Sequence, residues 1–540
     1  MAWESFAVYL SRNDQRMKTF LFTLLLILGT ASCVSAQNPD GFPVQRTVSG
    51  GVIEGDYDNK SGIQTFFGIP YAQPPVGELR WRAPQPVVPW SGVKQTKSFG
   101  PRAVQKFMWP DMIFRSAGLS EDCLYLNVWT PAKQKEQGLP VLVYIHGGGD
   151  VAGGGSEYRY DGESMAREGI VVVTINYRLN IFGYLAHPEL SRAAPYEASG
   201  NYGALDQAAA IRWVKDNAAA FGGDPERITI AGESAGSMAV SLHMVSPLSR
   251  GNIAGAIGES GALIHPTGTP VSLAEAERIG TEFVKKTGYS WAEFKKLTTA
   301  EIFELYVEHQ PNFPNVVDGY LLPKQLPDIF AAREQAQVPL LLGWNSAELP
   351  AAAFVRPPFT RKAFEEFAKQ RMPEHAIEAL NHYPGQSGTD LERAITDFGS
   401  DSWIVFSTWK WFDLHRTNSA QPVYRYLYSK LRPANDAGER PPALGAPHAC
   451  EIEYAMGNLD LVPGWRWTED DHKVSATMKG YFANFIKTGN PNEKDLPDWP
   501  QAKAEDDQSP VMIIDTESKA VRATDEARYR FLDGVYHPKK

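Results

Sequence analysis

The chain has 540 residues, 43% of them hydrophobic and 21% charged, with a formal net charge of −10 and a sequence pI near 5.7. That balance opposes nucleic-acid binding, which needs a basic face, and no basic run is longer than a pair such as the terminal Lys539-Lys540. Three cysteines are too few for a disulfide framework; with no linker, repeat or low-complexity tract, residues 37–540 read as one large domain. At the start, Met17-Lys18 precedes an apolar run from Phe20 to Leu28, and Val34-Ser35-Ala36 fits a small-residue cleavage site. Residues 1–36 therefore read as upstream residues plus a signal peptide, starting at Met17 and cut after Ala36. The apolar core is too short to span a membrane. The mature chain is expected to be secreted or periplasmic. Lipidation at Cys33 is the alternative, though Thr30-Ala31-Ser32-Cys33 matches it poorly. Cleavage leaves only Cys123 and Cys450, whose pairing the sequence leaves open.

Val141-Leu142-Val143-Tyr144-Ile145 is an apolar run of strand length, followed by His146-Gly147-Gly148-Gly149. Successive glycines leave backbone N–H groups unshielded, able to face a developing negative charge. A phosphate loop fits poorly, because no Gly-Lys-Ser/Thr follows and the next residue is Asp150. Val171 to Ile175 reads as a buried parallel strand, and Asn201 to Asn217 as a helix. Ile228-Thr229-Ile230-Ala231 is again strand-like and runs into Gly232-Glu233-Ser234-Ala235-Gly236, after which Ser237-Met238-Ala239-Val240 suits a helix. Strand, sharp turn and helix form the setting of an exposed nucleophilic serine.

From 270 to 310 the pattern turns helical, with capping signatures at Ser272/Glu275, Ser290/Glu293 and Thr298/Glu301. This insertion lies between the nucleophile and the acid and is placed to cover a substrate gorge, with a packing subdomain that touches no substrate as the alternative. Val338 to Gly343 is a further buried-strand pattern, with Glu348 just past its end. Val423 to Leu427 is β-like and precedes a turn-rich loop that contains His448. Near the end, Val474, Met478, Tyr481, Phe482 and Phe485 form an apolar helical face that Gly489 and Pro491 stop. Alternating strands and helices imply an α/β fold: a mostly parallel sheet covered on both faces. Trp109, Phe114, Trp403 and Trp411 are candidate gorge aromatics, with ordinary packing as the simpler reading.

A serine hydroxyl needs a base to take its proton, and a carboxylate to orient that base. Downstream of Ser234, His243 lies on the helix leaving the turn, His265 follows an apolar segment and His537 is in the tail. His448 alone sits in a loop beyond a sheet strand. Glu348 is the matching acid, with a solvated loop carboxylate as the bland alternative. A histidine base predicts that kcat/KM falls in acid with an apparent pKa of roughly 6–7. No metal or organic cofactor is implied, since the chain has no H-E-x-x-H, cysteine-rich site or dinucleotide fingerprint.

Phe67-Gly68-Ile69-Pro70-Tyr71-Ala72, Pro75 to Trp81, Ser120-Glu121-Asp122-Cys123-Leu124-Tyr125-Leu126-Asn127, Asn176-Tyr177-Arg178 and Phe221 to Pro225 stand beside the serine motif. Together they make the chain resemble a type-B carboxylesterase, the cholinesterase-like branch of the α/β-hydrolases, over about Val52 to Trp499; the export signal suggests a secreted bacterial member. The resemblance implies an α/β-hydrolase fold and hydrolysis of a small-molecule ester through an acyl-enzyme on Ser234, by a monomer or homodimer. It implies Glu348 as the acid, from Gly343 to Glu348, and His448 as the base, from Gly445 to Glu451. Gly148, Gly149 and Ala235 become oxyanion donors, and Glu233 and Ser260 partners near the histidine. A lipase-like esterase with an interfacial lid, or a non-catalytic binding protein on the same fold, are the alternatives. Three departures stand out. Asp150 replaces the usual aromatic, Leu349 replaces the glycine after the acid, and no cysteine precedes Cys123 to pair with it.

Overall fold

The computed structural model describes residues 44–133, 137–439 and 444–538; the expected signal peptide lies outside them. Fifteen strands are described. They are β1 Val44–Val48, β2 Gly51–Tyr57, β3 Gln64–Pro70, β4 Val93–Gln95, β5 Tyr125–Thr130, β6 Leu139–Ile145, β7 Val171–Ile175, β8 Gly223–Glu233, β9 Gly255–Glu259, β10 Val271–Ser272, β11 Val316–Val317, β12 Leu340–Asn345, β13 Val423–Tyr428, β14 Pro510–Ile514 and β15 Lys519–Arg522. Thirteen form one sheet in the order β1-β2-β3-β5-β7-β6-β8-β9-β12-β13-β14-β15, with β4 beside β2. From β7 to β14 every neighbouring pair is parallel, while β5 and the strands beyond it run antiparallel. This is the large α/β-hydrolase sheet, flanked by helices, that the sequence implies.

Side chains alternate across the sheet as period-two geometry requires. Val141, Val143 and Ile145 pack on one face, against the helices Tyr202–Asn217, Ala235–Val245 and Phe406–Asn418. Leu142 and Tyr144 pack on the other, against Ile452–Met456 and Glu469–Thr488. Both faces are covered, so these strands are apolar throughout rather than half polar. The terminal helix buries Val474, Met478, Tyr481, Phe482 and Phe485 as expected, and stops at Gly489 with φ 75°. Cys123 and Cys450 are both buried and unpaired. They belong to the clusters on opposite faces of the sheet, which decides the question the sequence left open.

The insertion is helical over Leu273–Lys286, Trp291–Phe294 and Thr299–His309. Ser290 and Thr298 make complete reciprocal caps, while Ser272 accepts from the Glu275 N–H. Phe283, Phe294 and Ile302 are buried and fix the insertion to the main body. Its inner residues Ile279 and Tyr306 reach the cavity above Ser234. Among the described residues no helix is long and apolar enough to cross a membrane.

Candidate active site

Parallel strands deliver their ends to one edge, and the chemistry collects there. β8 ends at Glu233 and the next helix starts at Ala235, so Ser234 alone makes the corner, at φ 56° and ψ −121°. A non-glycine residue in that region is strained and is held by its surroundings. The Ser234 N–H donates to the Glu259 carbonyl (2.8 Å), and its carbonyl receives the Met238 N–H (2.9 Å). The small flanks have a measurable reason. A Cβ on Gly236 would stand 2.1 Å from the Ile145 carbonyl oxygen, so no side chain fits as the helix crosses β6.

The loops after β12 and β13 bring in the other two groups, 100 residues apart in sequence. His448 Nε2 lies 3.0 Å from Ser234 Oγ, and His448 Nδ1 lies 2.7 Å from Glu348 Oε2. Glu348 is fully buried. Its other oxygen accepts from Ser260 Oγ (2.7 Å) and from the Asn345 N–H (2.8 Å). The His448 N–H also donates to the Glu348 carbonyl (2.9 Å), which ties the two loops together. Three donors around one carboxylate fix it as an acceptor, so His448 Nδ1 carries the hydrogen and Nε2 faces the serine as a base.

Glu233 Oε1 is 3.2 Å from His448 Nε2. Burial alone disfavours the imidazolium, but the Glu233 charge, then the Glu348 hydrogen bond and charge, outweigh it and raise the imidazole to about 9. The imidazole is thus held above the ordinary value of roughly 6–7 expected for this base. Burial raises Glu233 itself to about 7, against the pull of His448. The two values belong to a pair rather than to separate groups: the histidine is held high only while the glutamate is ionised. Glu259, beside Glu233 on the neighbouring strand, is raised to about 8, first by burial; Tyr144 donates to it at 3.0 Å. Burial and the charges of Glu233, Glu259 and Glu348 also raise Glu451, which accepts from Asn345 Nδ2.

Gly148 and Gly149 adopt φ of 108° and 62°. A Cβ on Gly148 would meet the Ala152 carbonyl oxygen at 2.2 Å, so this backbone is open to glycine alone. Ala235 is the first helical residue, so its N–H has no partner within the helix. Gly149, Ser234 and Ala235 share the wall of a cavity of about 590 Å³. Donors at a helix N-terminus and in a glycine loop suit a developing oxyanion.

Every residue expected at the site is thus within this one edge. Of the four candidate aromatics, only Trp403 lines the cavity, its ring centroid 5.0 Å from that of His448. Trp411 is fully buried, Phe114 lies under the Arg102 guanidinium, and Trp109 is exposed; none of these three lines the cavity. The residue reading missed Glu259 and Tyr144. The available signal was a glutamate closing the apolar run Ala256-Ile257-Gly258. It also missed Tyr306 and Phe313 as wall residues. Among the described residues no cluster of three His, Cys, Asp or Glu is arranged to hold a metal ion.

The model of the family described as "Carboxylesterase family" matches residues 43–532. Fumonisin B1 esterase of Sphingopyxis macrogoltabida is 34% identical, over 92% of this chain and 91% of its own. Acylcarnitine hydrolase of Mus musculus is 34% identical over 94% of each chain. A solved PNB esterase superposes with a TM-score of 0.77 at 28% identity, covering 92% of this chain and all of that one.

Proposed function

The chain belongs to the carboxylesterase family and hydrolyses carboxylic esters, and from that premise we propose that Ser234, His448 and Glu348 carry the reaction. The observation that supports this most directly is the continuous line from Ser234 Oγ to His448 (3.0 Å) to Glu348 (2.7 Å), opening into the cavity. His448 Nε2 takes the hydroxyl proton as Ser234 Oγ attacks the ester carbonyl. Glu348 holds the histidine tautomer and stabilises the imidazolium. The N–H groups of Gly148, Gly149 and Ala235 receive the oxyanion. The tetrahedral species collapses as His448 protonates the leaving alcohol. Water then enters, gives its proton to His448, and releases the acid from Ser234.

A cavity of about 590 Å³ suits a small-molecule ester. Relatives named for fumonisin B1 and for acylcarnitines share the reaction, so the reaction class carries over and the particular ester does not. The buried anchors Phe283, Phe294 and Ile302 favour a fixed roof over an interfacial lid. We further read the enzyme as exported, beginning at Gln37, and working as a monomer or homodimer without a nucleic-acid partner. N-terminal sequencing of protein recovered outside the cytoplasm checks the first of these.

The decisive experiment is Ser234→Ala. It should abolish labelling by a fluorophosphonate and nearly all turnover of a nitrophenyl ester, leaving a residue due to binding and oxyanion donors. Labelling retained at another serine refutes the assignment.

A further inference from the structure

One carboxylate in the cavity wall has no part in the hydrolysis. Asp150 directly follows the oxyanion glycines, in a left-handed conformation at φ 59°. Its carbonyl accepts the Asn180 N–H (2.7 Å) and its Oδ1 accepts the Tyr184 hydroxyl (2.9 Å). Asp150 and Tyr184 line the main cavity. They also line a recess beside it of about 10 Å³, completed by Gln207, Ala235, Met238 and Asn315 among others. Such a space takes one water-sized group.

Among the described residues no Lys, Arg or His is paired with Asp150; the only polar group acting on its carboxylate is the Tyr184 hydroxyl. The titratable groups facing it are Tyr184 and Tyr177. Burial first, and the Asp150 charge second, raise both far above the usual phenol value, so both are neutral. Burial raises Asp150 to about 6 while the Tyr184 hydrogen bond opposes, so at neutral pH it is charged. Asp150 is half-buried and opens on the cavity, so an anion answered by a single hydroxyl becomes costly once a substrate displaces the solvent over it. It also stands next to the glycines that must receive a developing oxyanion, where it opposes the reaction. A positive group supplied with the substrate removes both costs.

We propose that this recess is a subsite for a primary ammonium group on the acyl chain of the ester, with Asp150 as its counter-ion. The proposal rests on the acyl-enzyme reading of Ser234. The recess size selects –NH₃⁺ over a trimethylammonium group. The acyl side follows from the walls. The leaving alcohol must lie beside His448, which protonates it, whereas the recess is lined by Asp150 of the oxyanion loop, by the helix after Ser234 from Ala235 to Leu242, and by residues of other elements such as Tyr184 and Leu263, with no residue of the histidine loop.

The test compares phenyl β-alaninate with phenyl butyrate, in which a methyl group replaces the ammonium. The wild-type enzyme should prefer the β-alaninate in kcat/KM by about tenfold. The preference should grow as pH rises through about 6 and vanish on N-trimethylation. Asp150→Asn should abolish it, with turnover of the butyrate equal to or above that of the wild type. Tyr184→Phe, a second variant that keeps the carboxylate, should retain the preference with its onset moved to higher pH. Equal loss of both esters in Asp150→Asn, or a preference that survives that substitution, overturns the proposal. So does a preference for aminoethyl over propyl butyrate, which moves the amine to the alcohol side. Fluorophosphonate titration of Ser234 in each protein tests the underlying reading separately. If wild-type Ser234 is not labelled, that reading fails and the subsite falls with it.

Discussion

Replacing Glu233 by glutamine keeps the shape of the residue before the nucleophile and removes its charge. The carboxylate lies 3.2 Å from His448 Nε2. At an effective dielectric near 20, opposite unit charges at that separation attract by about 5 kcal/mol, an upper bound for this pair. About a third of that moves the imidazole by at least one pKa unit. The wild-type imidazole, raised to about 9 while Glu233 is ionised, should therefore titrate at least one unit lower in Glu233→Gln. The rate consequence has two parts. Above the imidazole pKa the resting base is neutral and only the transition state contains imidazolium. Losing Glu233 then slows kcat/KM by about tenfold per unit of pKa lost, if proton transfer is complete at the transition state. Below that pKa the resting enzyme is already imidazolium, and Glu233 stabilises both states equally. The two pH profiles should therefore converge in acid and part in base, with the variant reaching a lower plateau earlier. Steady-state kcat/KM for a neutral nitrophenyl ester from pH 5 to 10, normalised by fluorophosphonate titration, measures this. A lower plateau with an unshifted limb shows that Glu233 positions the histidine rather than charging it, and refutes the electrostatic argument.

Two further outcomes follow from the same geometry. Ser260→Ala removes one of three donors to Glu348, at 2.7 Å. Hydrogen bonds to charged groups are worth about 1.5–3 kcal/mol, and the Asn345 N–H remains, so kcat should fall by about five- to tenfold with KM for a neutral ester nearly constant. Stability should decline as pH rises from about 7 to 9, above the range in which the buried neutral histidines His146, His243 and His415, lowered to about 4, 3 and 4, add stability with rising pH. Glu233, Glu259 and Glu157 are raised to about 7, 8 and 7, so the native state holds protons that an unfolded chain has lost above about 4.5, and His448 loses its contribution on passing about 9. Thermal melts that instead rise steadily over this range contradict the assigned directions.

The sequence was most readable where geometry leaves few choices. The corner at Ser234 admits no side chain at Gly236, and the Gly148 conformation admits only glycine. Such positions leave a mark in any sequence that folds this way. Buried strands were readable for a related reason: a sheet covered on both faces demands apolar side chains along β6 and β7, with only Thr174 polar. Glu348 and His448 were less accessible. They lie on loops 100 residues apart; their places just past strand patterns pointed to them, and the family spacing then separated them from solvated loop residues. Tyr306 and Phe313 escaped because an apolar residue on an insertion helix looks the same whether it faces core or cavity. The fate of the two cysteines depends on which face of the sheet each reaches, which is a tertiary fact.

The parallel edge also explains why the histidine can be served by one charge among several carboxylates. In parallel register Glu233 lies opposite Glu259, and Gly343, just before the acid loop, also lies opposite Glu259. Like charges directly opposite on neighbouring strands repel, and burial penalises each of them further. They cannot all ionise together. Glu259 has the higher value of the strand pair, about 8 against about 7 for Glu233, and its Oε2 has no hydrogen-bond partner among the described residues. It therefore keeps its proton near neutrality. A neutral Glu259 relieves Glu233, which faces the His448 imidazole and stabilises its cationic form. Glu348, with its three donors, stays an acceptor throughout. The raised values of Glu259 and Glu233 divide the labour between two identical side chains, one storing a proton and one stabilising the imidazolium; Glu348 orients the ring by its hydrogen bond. Asp150 stands outside this division. The Glu233, Glu259 and Glu348 charges all lie on the histidine side of Ser234, and none of them is among the groups acting on Asp150. Under the subsite proposal its charge is answered from the cavity, and the departure from the family's aromatic then bears on the choice of substrate rather than on the triad.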